Sequence, residues 1–221
     1  MTNKTVQLDI VSDVMCPWCI VGYKQLLPAL AKFKDVNFEI NWQPFELNPN
    51  MPNEGQDLRE HLHEKYGSTD EQSIENRKRL TKIGDDLGFE FNFTEESTIY
   101  NTFLAHQLLH HAKKIGNEQN KPELQTKVKL ALFSAYFTEG KNVSDMNVLI
   151  EVALACGIEE ESVKDVLSHQ IHKDEVREIQ KKWQQNGISA VPAVVVNMQY
   201  LLSGAQPTEA YIDVINKVIS E

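Results

Sequence analysis

The stretch Val6-Gln7-Leu8-Asp9-Ile10-Val11-Ser12-Asp13-Val14-Met15-Cys16-Pro17-Trp18-Cys19-Ile20-Val21-Gly22-Tyr23 decides the fold. Val6 to Val11 is apolar and β-branched, interrupted by Gln7 and Asp9, and predicts a strand of about six residues. Ser12 to Met15 connects it to a helix whose apolar face runs through Ile20, Tyr23, Leu26, Leu27 and Leu30. Pro17 suits the first helical turn, where its missing N–H has no partner to lose. Pro28 is expected to kink the helix. From Val36 to Trp42, Val36, Phe38 and Ile40 alternate with polar residues and predict a second strand. Strand, helix and strand within about 45 residues is the signature of a parallel pair joined by a crossover helix.

Two cysteines at the mouth of that helix carry specific chemistry. A helix N-terminus presents unpaired N–H groups and the positive end of the dipole, and both favour a thiolate. The i, i+3 spacing brings the two sulfurs to one side of the first turn. One thiolate can then attack a disulfide and the other can resolve the mixed disulfide. Cys16, nearer the helix end and solvent, is expected to attack, and Cys19, one turn deeper, to resolve. The helix end should lower the Cys16 thiol, but only modestly. Pro17 and Trp18 carry no charge, and no Lys or Arg lies between residues 5 and 23. Asp9 and Asp13 would oppose a thiolate, so a charge brought from elsewhere in the chain is the way to a stronger effect.

Outward from this unit the pattern changes. Pro44 to Pro52 reads as loop. From Gln56 to Asn186 the periodicity is almost wholly helical. Thr69-Asp70-Glu71-Gln72 is a capping box opening a helix toward Ile83. Phe103, Leu104, Gln107, Leu108, His111 and Ile115 form one stripe; Leu124, Val128, Ala131, Leu132, Ala135 and Tyr136 form another. Ser144 is expected to cap a helix that ends at Gly157. Shorter helices are expected around Val163–Leu167 and Val176–Trp183. Strand character then returns at Ala193–Val196. A turn at Asn197-Met198 and a partner strand at Tyr200–Leu202 make a hairpin, followed by an amphipathic helix over Pro207–Ile219. The expected fold class is therefore α/β, with residues 1–55 and 187–221 forming one discontinuous domain around an inserted all-helical unit at 56–186.

Composition narrows the function. The 221 residues are 41% hydrophobic and 24% charged, with 10 Gly and 8 Pro, which excludes collagen-like and low-complexity chains. The net charge of -10 disfavours nucleic-acid partners. Three cysteines do not make a structural disulfide framework. No secretory signal and no membrane-spanning run is read, so the expected location is the cytoplasm and no membrane partner is expected. A structural zinc needs four ligands. The chain has one Cys-x-x-Cys, and His106 and His110 could add two more only from the inserted unit, so no metal is expected.

With these residues in view, the sequence resembles the DsbA branch of the thioredoxin superfamily. The resemblance rests on the first strand, on Cys16-Pro17-Trp18-Cys19, on Val191-Pro192 before a short strand, and on the long helical insertion. Within that branch, Ser12 to Cys19, Asn101 to His106, Ala135 to Gly140 and Ser203 to Pro207 are similar to the FrnE-like subfamily. The resemblance implies a thioredoxin fold with a large helical insertion and a protein disulfide oxidoreductase or isomerase activity. It makes Cys16 the nucleophile and Cys19 the resolving cysteine. Pro192 becomes a cis-proline facing the motif, and Val191 offers its backbone to an extended substrate. Pro17 and Trp18 complete the expected substrate contacts, with packing on the helix start the alternative for Trp18. Implied partners are thiol- or disulfide-containing proteins or small thiols. No cofactor is expected beyond the redox-active pair, apart from glutathione or another low-molecular-weight thiol. Two alternatives stay open: a glutathione-dependent isomerase or transferase of the related kappa-class and 2-hydroxychromene-2-carboxylate isomerase groups, and a chaperone-like binding module that needs neither cysteine. The former groups typically carry serine at the first position.

Other residues have plainer readings. Asp13 reads as a turn or cap acid, and Asp9 as either an exposed edge residue or a buried acid serving Cys19. Cys156 reads as a structural thiol. His110-His111 and His61-x-His63 read as solvated or core histidines. Phe133, Tyr136 and Phe137 read as core, with some available to line a groove facing the motif.

Overall fold

The computed structural model describes residues 4–221; residues 1–3, which open the stretch read for a leader, lie outside the described residues. Along the chain come β1 (Lys4–Ser12), α1 (Pro17–Leu30) and β2 (Val36–Pro44). Then follow β3 (Gln56–Asp57), α2 (Leu58–Tyr66), α3 (Asp70–Leu87), β4 (Thr98–Ile99), α4 (Phe103–Glu118) and α5 (Leu124–Phe133). A π-helical turn at Ser134–Thr138 leads to α6 (Met146–Cys156), α7 (Glu160–His169), α8 (Lys173–Gln185), β5 (Ala193–Val196), β6 (Tyr200–Ser203) and α9 (Thr208–Ser220).

The main sheet has the order β2-β1-β5-β6. β1 pairs with β2 in parallel, as the strand–helix–strand pattern requires, and with β5 antiparallel. Asn197 and Met198 both take positive φ, 48° and 56°, and turn β5 into β6. The Asn197 side chain accepts from the Gln7 N–H at 2.8 Å, and its N–H donates to the Gln7 carbonyl at 2.9 Å. This ties the turn to the central strand. On the outer edge of β2, Gln125 of α5 takes the place of a neighbouring strand. Its side chain accepts from the Trp42 N–H and donates to the Trp42 carbonyl, both at 2.9 Å. The Trp42 indole donates to Thr126 at 3.0 Å.

Helices α2 to α8 fall inside the span read as the inserted unit, and α5 and α8 pack on β2. One apolar cluster runs from Leu8 and Ile20 through Trp42 to Leu132, Leu149 and Val163, so the core crosses from the sheet into the helices without a break.

Several local expectations need correcting. The insertion is not all-helical: β3 and β4 pair as a two-stranded sheet, each strand too short for a periodic signal. The capping box at Thr69–Gln72 forms, and α3 runs on to Leu87. Ser144 does not cap α6. Asp145 does, accepting from the Asn147 N–H at 2.8 Å, while the Ser144 hydroxyl donates to the Asn53 carbonyl. Pro28 lies in the last turn of α1, where the helix stops two residues later rather than continuing bent.

Candidate active site

Cys16 is the N-cap of α1, in extended conformation at φ −93° and ψ 110°, and Pro17 opens the helix. The Cys19 N–H donates to the Cys16 carbonyl at 3.0 Å, which closes the first turn and brings both sulfurs to its inner side. Both are free thiols. Cys16 was expected to be accessible, yet it is only 3% exposed and Cys19 is 0% exposed. The difference between them lies in what they face. Cys16, with Met15, Pro17, Trp18 and Val191, lines a cleft of ≈ 800 Å³, and Cys19 lies behind it.

The Val191–Pro192 bond is cis, and the Cys16 thiol donates to the Val191 carbonyl at 3.6 Å. The dipeptide thus lies against the motif across 175 residues of chain. Gly22, one turn beyond Cys19, makes the approach possible. A Cβ there would lie 3.3 Å from Pro192 Cγ and 3.4 Å from Ala205 Cα. No periodicity argument singles out Gly22; its role shows only when both segments are in place.

The floor of the cleft is apolar and includes the Tyr136 and Phe137 side chains, which the π-helical turn carries. The Tyr136 hydroxyl donates to the Thr98 carbonyl of β4 at 2.9 Å. Phe133, read with them as core, is wholly buried and does not line the cleft. The rim is basic, with Lys65, Arg77 and Arg79. The Arg79 guanidinium lies 5.7 Å from the ring centre of Trp18, which is 36% exposed at the mouth. On another wall, Glu46 is tied to α8 by Arg177 and by Gln180, the latter at 3.0 Å.

Behind the motif, Asp13, already read as opposing a thiolate, meets two side chains that sequence reading did not place there, His106 and Lys129. Asp13 is buried. One oxygen accepts from the Leu47 N–H at 2.7 Å, and the other lies 3.4 Å from the Met15 N–H and 3.6 Å from His106 Nε2. Burial pushes this carboxyl up, but His106, the Leu47 N–H and Lys129 outweigh it and hold the group below the ordinary carboxylate value. His106 is not paired with His110; it reaches the Phe45 carbonyl at 2.9 Å. Lys129 of α5 is 1% exposed, with its ammonium 5.3 Å from the Trp42 ring centre and 4.9 Å from that of Phe133. Burial lowers it from 10.5 to about 8, against the fields of Cys19, Asp13 and Cys16.

The Cys16 thiol is raised, against the expectation of a lowered one. The hydrogen bond to Cys19, burial and the field of Asp13 push the Cys16 thiol up. Burial also opposes ionisation of Cys19, but the hydrogen bond from Cys16, the Lys129 charge and the Ser12 hydroxyl pull it down. Of the two thiols, Cys19, on the Lys129 side, is therefore the one whose ionisation is favoured. The helix end alone does not decide the matter.

Of the remaining candidates, His61 lines the cleft with Cys16, and the others separate from it. Asp9 is neither exposed nor at an edge: it is buried in β1, and its two oxygens accept from Gln7 and Gln43, each at 2.6 Å. Cys156 is buried at the end of α6, and burial raises its thiol. His61 is buried and bonds Gln56 at 2.9 Å, whereas His63 is exposed.

A thioredoxin-type sheet, a paired thiol at a helix start and a cis-proline facing it define a thiol–disulfide exchange protein. Residues 7–216 match the DSBA-like thioredoxin domain family, and the chain belongs to that family. It is 31% identical over 220 residues to the uncharacterized protein YwbO of Bacillus subtilis (strain 168), covering 98% of this chain and 97% of that one. Among solved structures, a probable DsbA oxidoreductase from Streptomyces coelicolor superposes with a TM-score of 0.89 at 30% identity, covering 98% of this chain and 91% of that one. The cytosolic disulfide reductase DsbM from Pseudomonas aeruginosa with GSH shares the fold, with a TM-score of 0.61 at 12% identity over 97% of this chain and 100% of that one. Among the described residues no helix is long and apolar enough to cross a membrane.

Proposed function

We propose that the protein is a cytoplasmic thiol–disulfide oxidoreductase of the FrnE-like kind, working through Cys16 and Cys19. One observation carries the reading: of two adjacent free thiols, only Cys16 reaches the cleft, and the buried one behind it is beside a buried ammonium. When a disulfide enters the cleft, the Cys16 proton passes to Cys19. The Cys16 sulfur attacks one substrate sulfur, the substrate S–S bond breaks and the other substrate sulfur leaves as a thiolate. Cys19 then gives its proton to the departed substrate thiolate, its own thiolate being favoured by Lys129, and attacks Cys16. The mixed disulfide breaks, the second substrate thiol leaves, and Cys16–Cys19 becomes the disulfide. Two electrons have moved to the substrate, and the reverse sequence oxidises a dithiol. Val191 supplies a backbone edge for an extended substrate, while Pro17 and Trp18 border its path.

The basic rim of Lys65, Arg77 and Arg79, unusual on a chain of net charge -10, favours an anionic small thiol such as glutathione as the second substrate. The glutathione-bound state of a protein of the same fold agrees with this. The test is a pair of variants. Cys16→Ser should abolish exchange with a model protein disulfide, and Cys19→Ser should accumulate mixed disulfides on Cys16, read by non-reducing electrophoresis and mass spectrometry. Full exchange activity in Cys16→Ser would end the proposal.

A further inference from the structure

Away from the thiols, where α4 meets the start of α8, three histidines and a carboxylate converge. His110 Nε2 lies 2.6 Å from Glu175 Oε2, and His172 Nδ1 lies 3.2 Å from the same oxygen. The three ligand-type atoms lie within 4.8 Å of one another. His172 is 5% exposed, and its Nδ1 makes no hydrogen bond, an unsatisfied buried nitrogen aimed at the gap. Its other nitrogen is taken: His172 Nε2 lies 3.3 Å from His111 Nδ1, and His111 Nε2 lies 2.8 Å from the Ser162 hydroxyl. With protons on the two Nε2 atoms, His172 donates to His111 and His111 donates to Ser162. His172 Nδ1 is then a bare lone pair, as in a metal-ligating histidine oriented through its far nitrogen.

We propose that His110 Nε2, His172 Nδ1 and a Glu175 carboxylate oxygen form a binding site for a divalent transition metal, best suited to Zn²⁺. Two imidazoles and one carboxylate with an open fourth position make a zinc-type donor set. Tetrahedral bonds of about 2.0–2.1 Å place ligand atoms about 3.3 Å apart. The carboxylate's present separations of 2.6 and 3.2 Å need only a small opening to admit the ion. Burial lowers both imidazoles, which favours their neutral, ligating form. One group competes: the Lys114 ammonium lies 3.2 and 3.3 Å from the Glu175 oxygens. It is 45% exposed on a flexible stem and can leave. The ion would join α4 to the first turn of α8. The spacing of His106 and His110 does not reveal this site, because two of its ligands come from more than 60 residues further along the chain.

Thiolates are themselves zinc ligands, so the experiment must separate this site from the cysteine pair. Co²⁺ is added to the full-length Cys16→Ser/Cys19→Ser variant, and its spectrum is followed; Zn²⁺ is then used to displace it in competition with a chromophoric chelator. The expected result is one equivalent bound, with visible bands of nitrogen–oxygen coordination and no thiolate charge-transfer band. Glu175→Gln, at a half-exposed position that should not disturb folding, should remove binding. His111→Ala should weaken it roughly 10- to 100-fold through His172. Lys114→Met should tighten it, which a purely structural role for these residues does not predict. Absence of binding, binding that survives Glu175→Gln, or a Lys114→Met variant with weaker affinity would overturn the assignment.

Discussion

Replacing Lys129 with Met removes a buried ammonium while keeping an apolar stem of similar length. The fall of this group from 10.5 to about 8 corresponds, at about 1.4 kcal/mol per pH unit, to roughly 3 kcal/mol of penalty for holding the charge in the fold. The sign follows from proton counting. Between pH 8 and 10.5 the unfolded chain binds more protons at this position than the folded one, so stability rises with pH there. Below pH 8 the whole penalty is present. Met carries none of it but loses the contacts of the ammonium with the Trp42 and Phe133 rings, about 1–2 kcal/mol when desolvated. Lys129→Met should therefore be more stable than the parent at pH 7 by about 1–2 kcal/mol, and the advantage should vanish or reverse as pH approaches 10.5. Urea denaturation of the reduced proteins across this range measures both. The same substitution withdraws the charge that favours a Cys19 thiolate. The first ionisation of the dithiol, followed by thiolate absorbance, should move to higher pH, and the couple should become less oxidising. A variant that is less stable at pH 7 by a margin independent of pH, with an unchanged thiol titration, would refute the account of Lys129.

Asp13→Asn keeps an acceptor for the Leu47 N–H but removes the smallest of the effects holding the Cys16 thiol up, so Cys16 alkylation near pH 7 should rise by less than about tenfold; an unchanged or slower rate would count against the assignment. Gly22→Ala drives a methyl to within 3.3 Å of the Pro192 ring, and exchange activity should fall more than thermal stability does. Gln125→Leu orphans the N–H and carbonyl of Trp42 and should cost about 2–4 kcal/mol in chemical denaturation; a loss below about 0.5 kcal/mol would mean that water replaces the amide.

The strand–motif–helix unit, the parallel pair, the terminal hairpin and the pairing of the two thiols at the helix start were legible because each is written locally, in period or in spacing. What stayed hidden depends on distant segments meeting. Lys129 lies on the stripe next to Val128, and a lysine beside an apolar stripe reads as solvated. Only the packing of α5 on β2 shows that it ends up behind Cys19. Asp13 reads as a turn acid and does hold a turn, yet its partners His106 and Leu47 come from other elements. The π-helical turn leaves no mark in a pattern of period 3.6, although it positions Tyr136 and Phe137 in the cleft. The lowering expected of Cys16 failed for a different reason: the hydrogen bond to Cys19 and the burial of the thiol, neither of which the helix end supplies, push it up.

The amide of Gln125 that closes the outer edge of β2 comes from 83 residues beyond Trp42. Until α5 docks, that edge is an open template able to recruit a foreign strand. The thioredoxin half therefore has a sheet edge that the inserted segment covers at Trp42. Its sheet is finished by the segment that interrupts it, and the same helix brings the charge that governs the thiols. Assembly of the fold and arming of the dithiol are one cooperative event, so tryptophan fluorescence, far-ultraviolet dichroism and thiol reactivity should all report a single, coincident unfolding transition.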